Sequence, residues 1–437
     1  MRKELLQNAR GMRDFGPAEK IVRDKIIFIM KQVFELFGYN PIETPAVERY
    51  ELFASKFGIG AESDAMRETF KLKDQGDRDL VLRTEFTVPF ARFVGMNPEL
   101  KKPFKRYQMG KIFRDGPIKL GRYREFLQCD VDVVGISDPI IDAEILKLTQ
   151  MIFDRLGLEI VVKINNRKIL NRILDVSGID EKRQASAIIT IDKLDKIGID
   201  GVRAELADKG FESNKVDKAL QMIQGVGANE ELLNNLEASL GKNDGIDEIR
   251  AVIDYCPNIN IIFRPCLARG LAYYTGNVFE VYLKDQSKIS SSVCAGGRFD
   301  DMIGGFLEDG ETYPAVGISF GLEAIFDAFT LYKKMEFKKS ITEVYIITLD
   351  RKFLNRAMAL ADKLRKVDIK TDMNYLEIKL KKGLEYANFY DIPWTIIIGE
   401  EEVKADKVTL RNMVSGEQKQ LEIKGIIEEI TKQKGLI

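Results

Sequence analysis

A lysine-rich break at residues 331–341, carrying Lys333, Lys334, Lys338 and Lys339, separates two stretches with different hydrophobic patterns. Clustered like charge without apolar periodicity reads as a linker. Beyond it the pattern alternates cleanly: an apolar strand at 344–349, a helix at 353–367, strands at 394–399 and 408–412, and a terminal helix. Such alternation predicts a small, separate α/β domain of about 100 residues. The whole chain of 437 residues exceeds what one hydrophobic core usually serves, so two or three domains are expected.

Upstream of the break, Val22, Ile26, Ile29, Val33 and Phe37 recur at three- and four-residue steps. That spacing predicts an amphipathic helix over 18–37, stopped by Gly38. Residues 40–45 then read as a strand or extended run ending at proline. Residues 104–113 and 124–134 read as two strands joined by the loop 114–121, antiparallel if that loop is a long hairpin. Residues 138–157 read as a helix. Between 165 and 250 the chain becomes rich in Lys, Asp, Glu, Leu and Ile at helical spacing, with breaks at Gly178, Gly198, Gly225 and Gly241. This is the pattern of a helical insertion. Strand-like runs return at 260–263, 278–282 and 315–320.

The chain contains no histidine. That removes the commonest general base and the commonest transition-metal ligand. Ser-His-Asp and Cys-His mechanisms are excluded, and any catalysis rests on Arg, Lys, carboxylates, Tyr, backbone, or a metal held by oxygen. Cys129, Cys256, Cys266 and Cys294 are scattered with no C-x-x-C pair, and read as small buried residues. A net charge of −1 argues against a mainly electrostatic nucleic-acid binder but leaves room for local basic faces. No apolar run approaches the roughly 20 residues that cross a bilayer, and the first residues lack the apolar core of a signal peptide. A cytoplasmic protein without a membrane partner is expected.

Three segments carry the chemistry. The first is Phe113-Arg114-Asp115-Gly116-Pro117 followed by Gly121-Arg122-Tyr123-Arg124-Glu125-Phe126-Leu127-Gln128. Arginine presents a fork of donors matched to phosphate oxygens, and glycine lets backbone approach a ligand. A solvated basic hairpin tip would look the same. The second is Arg264–Tyr274, running into Thr275-Gly276-Asn277-Val278-Phe279-Glu280. Its arginines and paired tyrosines can neutralise an anion and orient a polar substrate, or can simply pack a sheet edge. The third joins Ala295-Gly296-Gly297-Arg298-Phe299-Asp300 to Pro314-Ala315-Val316-Gly317-Ile318-Ser319-Phe320-Gly321-Leu322-Glu323. It suits the close approach of a flat ligand, or a tight turn into a core strand. Neither a dinucleotide fingerprint nor a Walker loop is present.

Together these segments resemble the class II aminoacyl-tRNA synthetases, and the histidyl family in particular. Residues 38–45 with their preceding helix resemble motif 1, the dimer-forming element. Residues 114–128 resemble motif 2, 269–274 the histidyl signature, and 316–323 motif 3. Residues 343–421 resemble the anticodon-binding domain of several class II synthetases. The resemblance implies an α+β catalytic domain at 1–330, an antiparallel sheet flanked by helices and interrupted by the helical insertion at 165–250. It also implies a C-terminal α/β anticodon-binding domain at 341–437.

The activity it implies joins histidine to ATP as histidyl-adenylate and passes the histidyl group to tRNA(His). By motif position, Arg114 and Arg269 would flank the α-phosphate. Glu85 and Thr87 would receive the α-amino group, and Gln128 would hold the amino acid and the adenylate. Asp132 and Tyr274 would bind the imidazole, with Tyr273 beside them. ATP with Mg²⁺ is implied, with no metal held by assigned protein side chains, and so is a homodimer. Lys379, Lys381, Lys382, Lys404, Lys407 and Arg411 would favour tRNA backbone contact as a group, although each alone fits a solvated face.

Three positions depart from the family pattern. Ala324 follows Glu323 where motif 3 usually has the arginine that meets the γ-phosphate. Ala272 stands where the signature more often has Asp. Asp115 follows Arg114 directly, leaving Gly116 where motif 2 usually has its acidic residue. Arg298, Arg122 or Mg²⁺ are the candidates for the missing cation. The alternative reading is a synthetase-like paralogue without charging activity. It would be the regulatory subunit of ATP phosphoribosyltransferase, which lacks the C-terminal domain, or a tRNA-binding module.

Overall fold

The computed structural model describes residues 5–57, 64–118, 123–269, 273–333 and 337–434. The chain gathers into two compact units. One comprises Met1–Asp14 and Lys25–Lys334, the other Phe15–Asp24 and Met335–Ile437.

The first unit is built on strands β1 (Asn40–Pro41), β2 (Val47–Arg49), β3 (Lys71–Lys73), β4 (Asp79–Leu82), β5 (Phe104–Phe113), β6 (Glu125–Val134), β7 (Ile160–Asn166), β8 (Ile261–Phe263), β9 (Asn277–Leu283), β10 (Cys294–Arg298) and β11 (Ala315–Gly321). Eight of them form one sheet in the order β1-β5-β6-β11-β10-β9-β7-β8, and β2-β4-β3 form a small separate one. The ten-residue strands β5 and β6 pair antiparallel from Phe104 opposite Val134 to Phe113 opposite Glu125. Every pairing from β5 across to β7 is antiparallel. The sheet departs from the antiparallel expectation only at its two outer pairs, β1 with β5 and β7 with β8, which are parallel.

Opposed residues in such a ladder share a face, and successive residues alternate between faces. One row therefore runs Arg106, Asp132, Gly317, Gly297, Val278 across β5, β6, β11, β10 and β9. The next row on the same face runs Gln108, Asp130, Ser319, Ala295, Glu280, Lys163, ending on β7. The intervening residues of β5, β6, β10 and β11, among them Tyr107, Val131, Val133, Ile318 and Phe320, are buried on the other face. There the rings of Tyr107 and Phe320 pack against Phe34 of the helix Pro17–Leu36. Proline opens that helix at its first position, where no N–H is needed. Gly38, in the left-handed region at φ +77, follows it.

The helix Ile140–Leu156 is anchored to the sheet by a buried ion pair. Its Asp142 has no exposed surface and pairs with Arg298 of β10, Nη2 to Oδ2, at 2.6 Å. The same guanidinium donates to the carbonyls of Ile136 and Asp138. Asp142 also accepts from Asn277, whose amide oxygen accepts from Asn166, and Asn166 donates in turn to Glu248. This line of buried polar groups ties the sheet to the insertion. The insertion itself is six helices between Arg167 and Tyr255, with left-handed glycines at Gly178, Gly198 and Gly241 but not at Gly225. Gly198 breaks the helix Leu194–Asp208 internally.

The second unit contains β12 (Val344–Thr348), β13 (Thr371–Met373), β14 (Trp394–Ile398), β15 (Val408–Asn412) and β16 (Gln418–Leu421), ordered β13-β12-β14-β15-β16. The first three are parallel and the last two antiparallel. One face buries Val344, Ile346, Ile396 and Ile398 with Leu360, Leu364, Ile426 and Ile430 of two helices. The other buries Tyr345 and Ile347 with Ala387 and Ile392. Strands β13 and β16 and the helix Leu380–Phe389 have no counterpart in the reading of the sequence.

Removing Asp142 would leave the Arg298 guanidinium buried without its counter-ion, a situation that costs about 3–5 kcal/mol. Asp142→Ala is expected to lower unfolding stability by that amount in urea titration. A change within about 0.5 kcal/mol, the range of an ordinary surface substitution, would show that the pair anchors nothing.

Candidate active site

The face carrying Asp132 and Ser319 floors a cavity of about 450 Å³. Its floor is a product of the alternation. Gln128, Asp130 and Asp132 point the same way along β6, each opposite a small residue of β11: Gly321, Ser319 and Gly317. A methyl group on Gly317 would fall 1.9 Å from Asp132 Oδ1, and one on Gly297 would fall 2.9 Å from the Tyr274 ring. The glycines are what leave room for the carboxylate and the ring.

Asp132 pairs with Arg106 of β5 at 2.5 Å, and Arg106 has no exposed surface. Burial nevertheless pushes the Asp132 carboxyl up to about 6: Arg106 pulls it down, while Glu85 pushes it up. Asp130 is held by the Ser319 hydroxyl, which donates to its Oδ1 at 2.6 Å. Its carboxyl is pushed up to about 8, first by burial and then by Asp132 and Glu85, against the pull of Arg106 and Ser319.

Glu85 stands at the start of the helix Thr87–Met96. Its carboxylate accepts the backbone N–H of Thr87 at 2.5 Å and of Val88 at 2.9 Å. It thereby caps a helix whose own N-cap, Phe86, has no side chain that can. Burial raises its pKa against those bonds. A carboxylate has about four acceptor positions, so this capping leaves acceptor capacity.

Arg114, just past β5, donates Nε–H to the carbonyl of Thr84 at 3.1 Å and lies 5.2 Å from the Phe126 ring centre. Arg269 donates Nη1–H to Glu280 Oε1 at 3.1 Å and Nη2–H to the Tyr274 hydroxyl at 3.5 Å. Its backbone sits at φ +51, a left-handed conformation uncommon for a side-chain-bearing residue and often found at functional sites. The Tyr273 ring lies 4.8 Å from that of Tyr274 and edge-on to Phe299.

All eight residues singled out from the sequence, namely Glu85, Thr87, Arg114, Gln128, Asp132, Arg269, Tyr273 and Tyr274, line this one cavity. So do several that were not singled out. Asp130 was discoverable, because the residue midway between Gln128 and Asp132 on one strand must share their face. Glu280 was hidden as a mere strand residue, yet it accepts from both Arg269 and Tyr282. Asp192 and Lys196 come from the helical insertion, and no local signal in the chain announces that approach.

One expectation is overturned. Arg298 cannot replace the missing motif 3 cation, because its guanidinium is committed to Asp142 and two carbonyls and does not line the cavity. Arg122 and Gly121 of the motif 2 loop lie outside the described residues, as do Gly270, Leu271 and Ala272 of the signature. Glu323 is buried and accepts the N–H of Leu127, fixing the start of the helix Leu322–Lys333 against β6. Ala324 follows it without charge. Among the described residues, no cluster of three or more Cys, Asp or Glu could hold a metal ion. In the second unit, Lys379, Lys381, Lys382, Lys404 and Lys407 are exposed and Arg411 half-buried. They sit on separate elements: the start of one helix, the connection between β14 and β15, and β15 itself.

Residues 11–325 match the family model described as histidyl-tRNA synthetase, and residues 343–433 the one described as anticodon binding domain. The chain belongs to the histidyl-tRNA synthetase family. It is 42% identical over 423 residues to histidine–tRNA ligase 1 of Bacillus thuringiensis subsp. konkukian (strain 97-27), covering 94% of this chain and 97% of that one. The solved histidyl-tRNA synthetase from Nostoc sp. PCC 7120 superposes with a TM-score of 0.82 at 28% identity, covering 98% and 99% of the two chains. A structure described as an ATP phosphoribosyltransferase regulatory subunit/histidyl-tRNA synthetase, from Bacillus halodurans C, shares the fold with a TM-score of 0.73 at 22% identity. It covers 90% of this chain and 98% of that one. Histidyl-tRNA synthetases are aminoacyl-tRNA ligases, so the cavity on the sheet belongs to an enzyme of that class.

The raised Asp130 carboxyl has a consequence for stability. A carboxyl whose folded pKa lies above its unfolded value of about 3.9 contributes stability below that pH, and loses it as pH rises through the folded value. Asp130→Asn is therefore expected to change the melting temperature little at pH 4 and to raise it at pH 8. An equal shift at both pH values would mean that no buried charge forms there.

Proposed function

We propose that the chain activates histidine with ATP and transfers the histidyl group to tRNA(His). The observation that carries this reading is the gathering, around one cavity floored by the sheet, of Arg114 and Arg269 with Glu85, Asp132 and Tyr274. Histidine offers an ammonium, a carboxylate and an imidazole, and the cavity has partners for each. The Glu85 carboxylate suits the ammonium. Asp132 and Tyr274 suit the imidazole. The Gln128 amide oxygen is buried with no partner among the described residues, which leaves it open to a donor on the amino acid or the adenylate.

The histidine carboxylate attacks the α-phosphorus, and pyrophosphate leaves. Charge grows on the phosphoryl oxygens during that step. Arg114 and Arg269, held in place by Thr84 and Glu280, stabilise it without reorganising, which is the usual source of rate in phosphoryl transfer. The ribose hydroxyl at the tRNA 3′ end then displaces AMP. Mg²⁺ carried by ATP would supply further charge neutralisation. It commonly binds through phosphates and one or two carboxylates, so no dedicated protein cage is required. A pocket built to pair both imidazole nitrogens rejects apolar rivals by roughly 10⁴–10⁵-fold.

The same reading assigns residues 1–330 to catalysis and 341–437 to the anticodon. It takes residues 38–45 and their preceding helix as a homodimer contact, and the cytoplasm as the location. No helix among the described residues is long and apolar enough to cross a membrane. A synthetase-like protein without charging activity is the second reading, and Ala324 is the observation that favours it.

Histidine-dependent ATP–pyrophosphate exchange decides between the two, and purified protein that shows none sinks the synthetase reading. Arg269→Ala is expected to lower kcat for exchange by about 100-fold or more, in line with removal of a charge stabiliser from a transition state. Deleting residues 341–437 is expected to weaken tRNA charging far more than exchange. Equal loss of both would refute that division of labour.

A further inference from the structure

Asp130 has no part in the reading above, yet it occupies the middle of the cavity floor. It is 3% exposed and shares its face with Gln128 and Asp132. The groups that act on it come from several elements: Arg106 on β5, Asp132 on its own strand, Ser319 on β11 and Glu85 before the helix Thr87–Met96. Arg83 also acts on it from just past β4. Arg106 is paired with Asp132. With both carboxyls ionised, the floor around that pair carries one negative charge more than Arg106 balances. An uncompensated buried charge is costly, and the group takes up a proton instead. The upward shift of Asp130 to about 8 agrees with this.

An imidazole has two ring nitrogens, one donor and one acceptor when neutral and two donors when protonated. Asp132 can serve one of them. The Tyr274 hydroxyl, the other partner proposed above, accepts from Arg269 at 3.5 Å. It can give its own O–H to the second nitrogen of a neutral ring, whereas a protonated ring presents a second N–H that calls for another acceptor. Residues two apart on a strand are separated by about 7 Å, which leaves room for a flat ring seated between the two carboxyls.

We propose that Asp130 is a specificity-determining residue for histidine: its carboxyl faces the imidazole nitrogen that Asp132 does not engage, and the pair shares one proton. The inference rests on the histidine reading above. In the free site the proton is on a carboxyl oxygen of Asp130. On binding, that O–H bond breaks and an N–H bond forms on the ring, giving an imidazolium between two carboxylates. No other bond changes. Arg106 and the imidazolium then balance Asp130 and Asp132, whereas an apolar ring leaves both carboxyls unmatched.

The test is histidine binding by titration calorimetry at about pH 8.5 in two buffers of different ionisation enthalpy, which counts protons taken up. Wild type and Asp130→Asn are compared, with histidine-dependent exchange measured alongside. The substrate's own amino group contributes equally to both proteins, so the difference isolates Asp130. Wild type is expected to take up most of one proton more per histidine than Asp130→Asn. The KM for histidine is expected to rise with pH above about 8 in wild type only. Asp130→Ala, which leaves the ring nitrogen unpaired, is expected to raise that KM by about tenfold or more with kcat little changed. Ser319→Ala removes a hydrogen bond to the ionised carboxyl and is expected to move the alkaline rise upward. That reading stays available if the Asp130 variants fold poorly.

Equal proton uptake by wild type and Asp130→Asn overturns the proposal. So does an Asp130→Ala enzyme with the wild-type KM, or an alkaline rise that Ser319→Ala leaves in place. A proton difference without any exchange activity supports the role of Asp130 and overturns the synthetase reading. Exchange without a proton difference does the reverse.

Discussion

A guanidinium with no exposed surface lies within the larger sheet, and the carboxylate of Asp132 is what allows it to stay there. Arg106 and Asp132 sit opposite each other on the two longest strands. A buried pair of this kind is weak evidence for stability in itself, since its desolvation cost can match its attraction. What it fixes is geometry. It sets which face of β6 turns toward the cavity, and the period of two then carries Gln128 and Asp130 to that same face. It also makes Gly317 obligatory, because any larger residue there would occupy the place of Asp132 Oδ1.

The site is thus a face of a sheet with most of its side chains removed. On β10 and β11 the positions over the cavity are Ala295, Gly297, Gly317 and Ser319, while on the opposite face of β11 their neighbours Val316, Ile318 and Phe320 are large and apolar. Cations and carboxylates project into the cleared space from its margins, on loops and helix starts that the rigid strands hold in place. Arg114 leaves the end of β5, Glu85 caps a helix, and Arg269 hangs from Glu280 in a left-handed turn. Each of these side chains has a partner within the protein that orients it, so the cleft is arranged before a ligand arrives.

Much of this was readable in the chain because the informative signals were local. Strand periodicity and glycine spacing located β5, β6 and β11, and the resemblance of the motif segments to a known family pointed to eight of the residues that line the cavity. What escaped depended on distance or on weak patterning. β13 has three residues, too few for any period to show. β16 is nearly all polar and exposed, so its pairing with β15 owes little to a hydrophobic face. The commitment of Arg298 depends on Asp142, which lies 156 residues away in the chain. The approach of Asp192 and Lys196 to the cavity likewise follows from how the insertion folds back. The separation of the Asp130 and Asp132 carboxyls in pKa depends on burial and on groups from β5, β6, β11 and a helix start. No window of neighbouring residues contains that information.

The absence of histidine, met first as a restriction on chemistry, has a different meaning once the family is known. In the function proposed above, carboxylates and tyrosines serve the imidazole and arginines the phosphates. That reading calls for no histidine side chain in the protein. The 437 residues therefore contain no histidine codon to be read. Their translation draws nothing from the pool of histidyl-tRNA, and a ribosome making them cannot stall for want of it. A catalyst of this composition stands outside the demand that its own product serves.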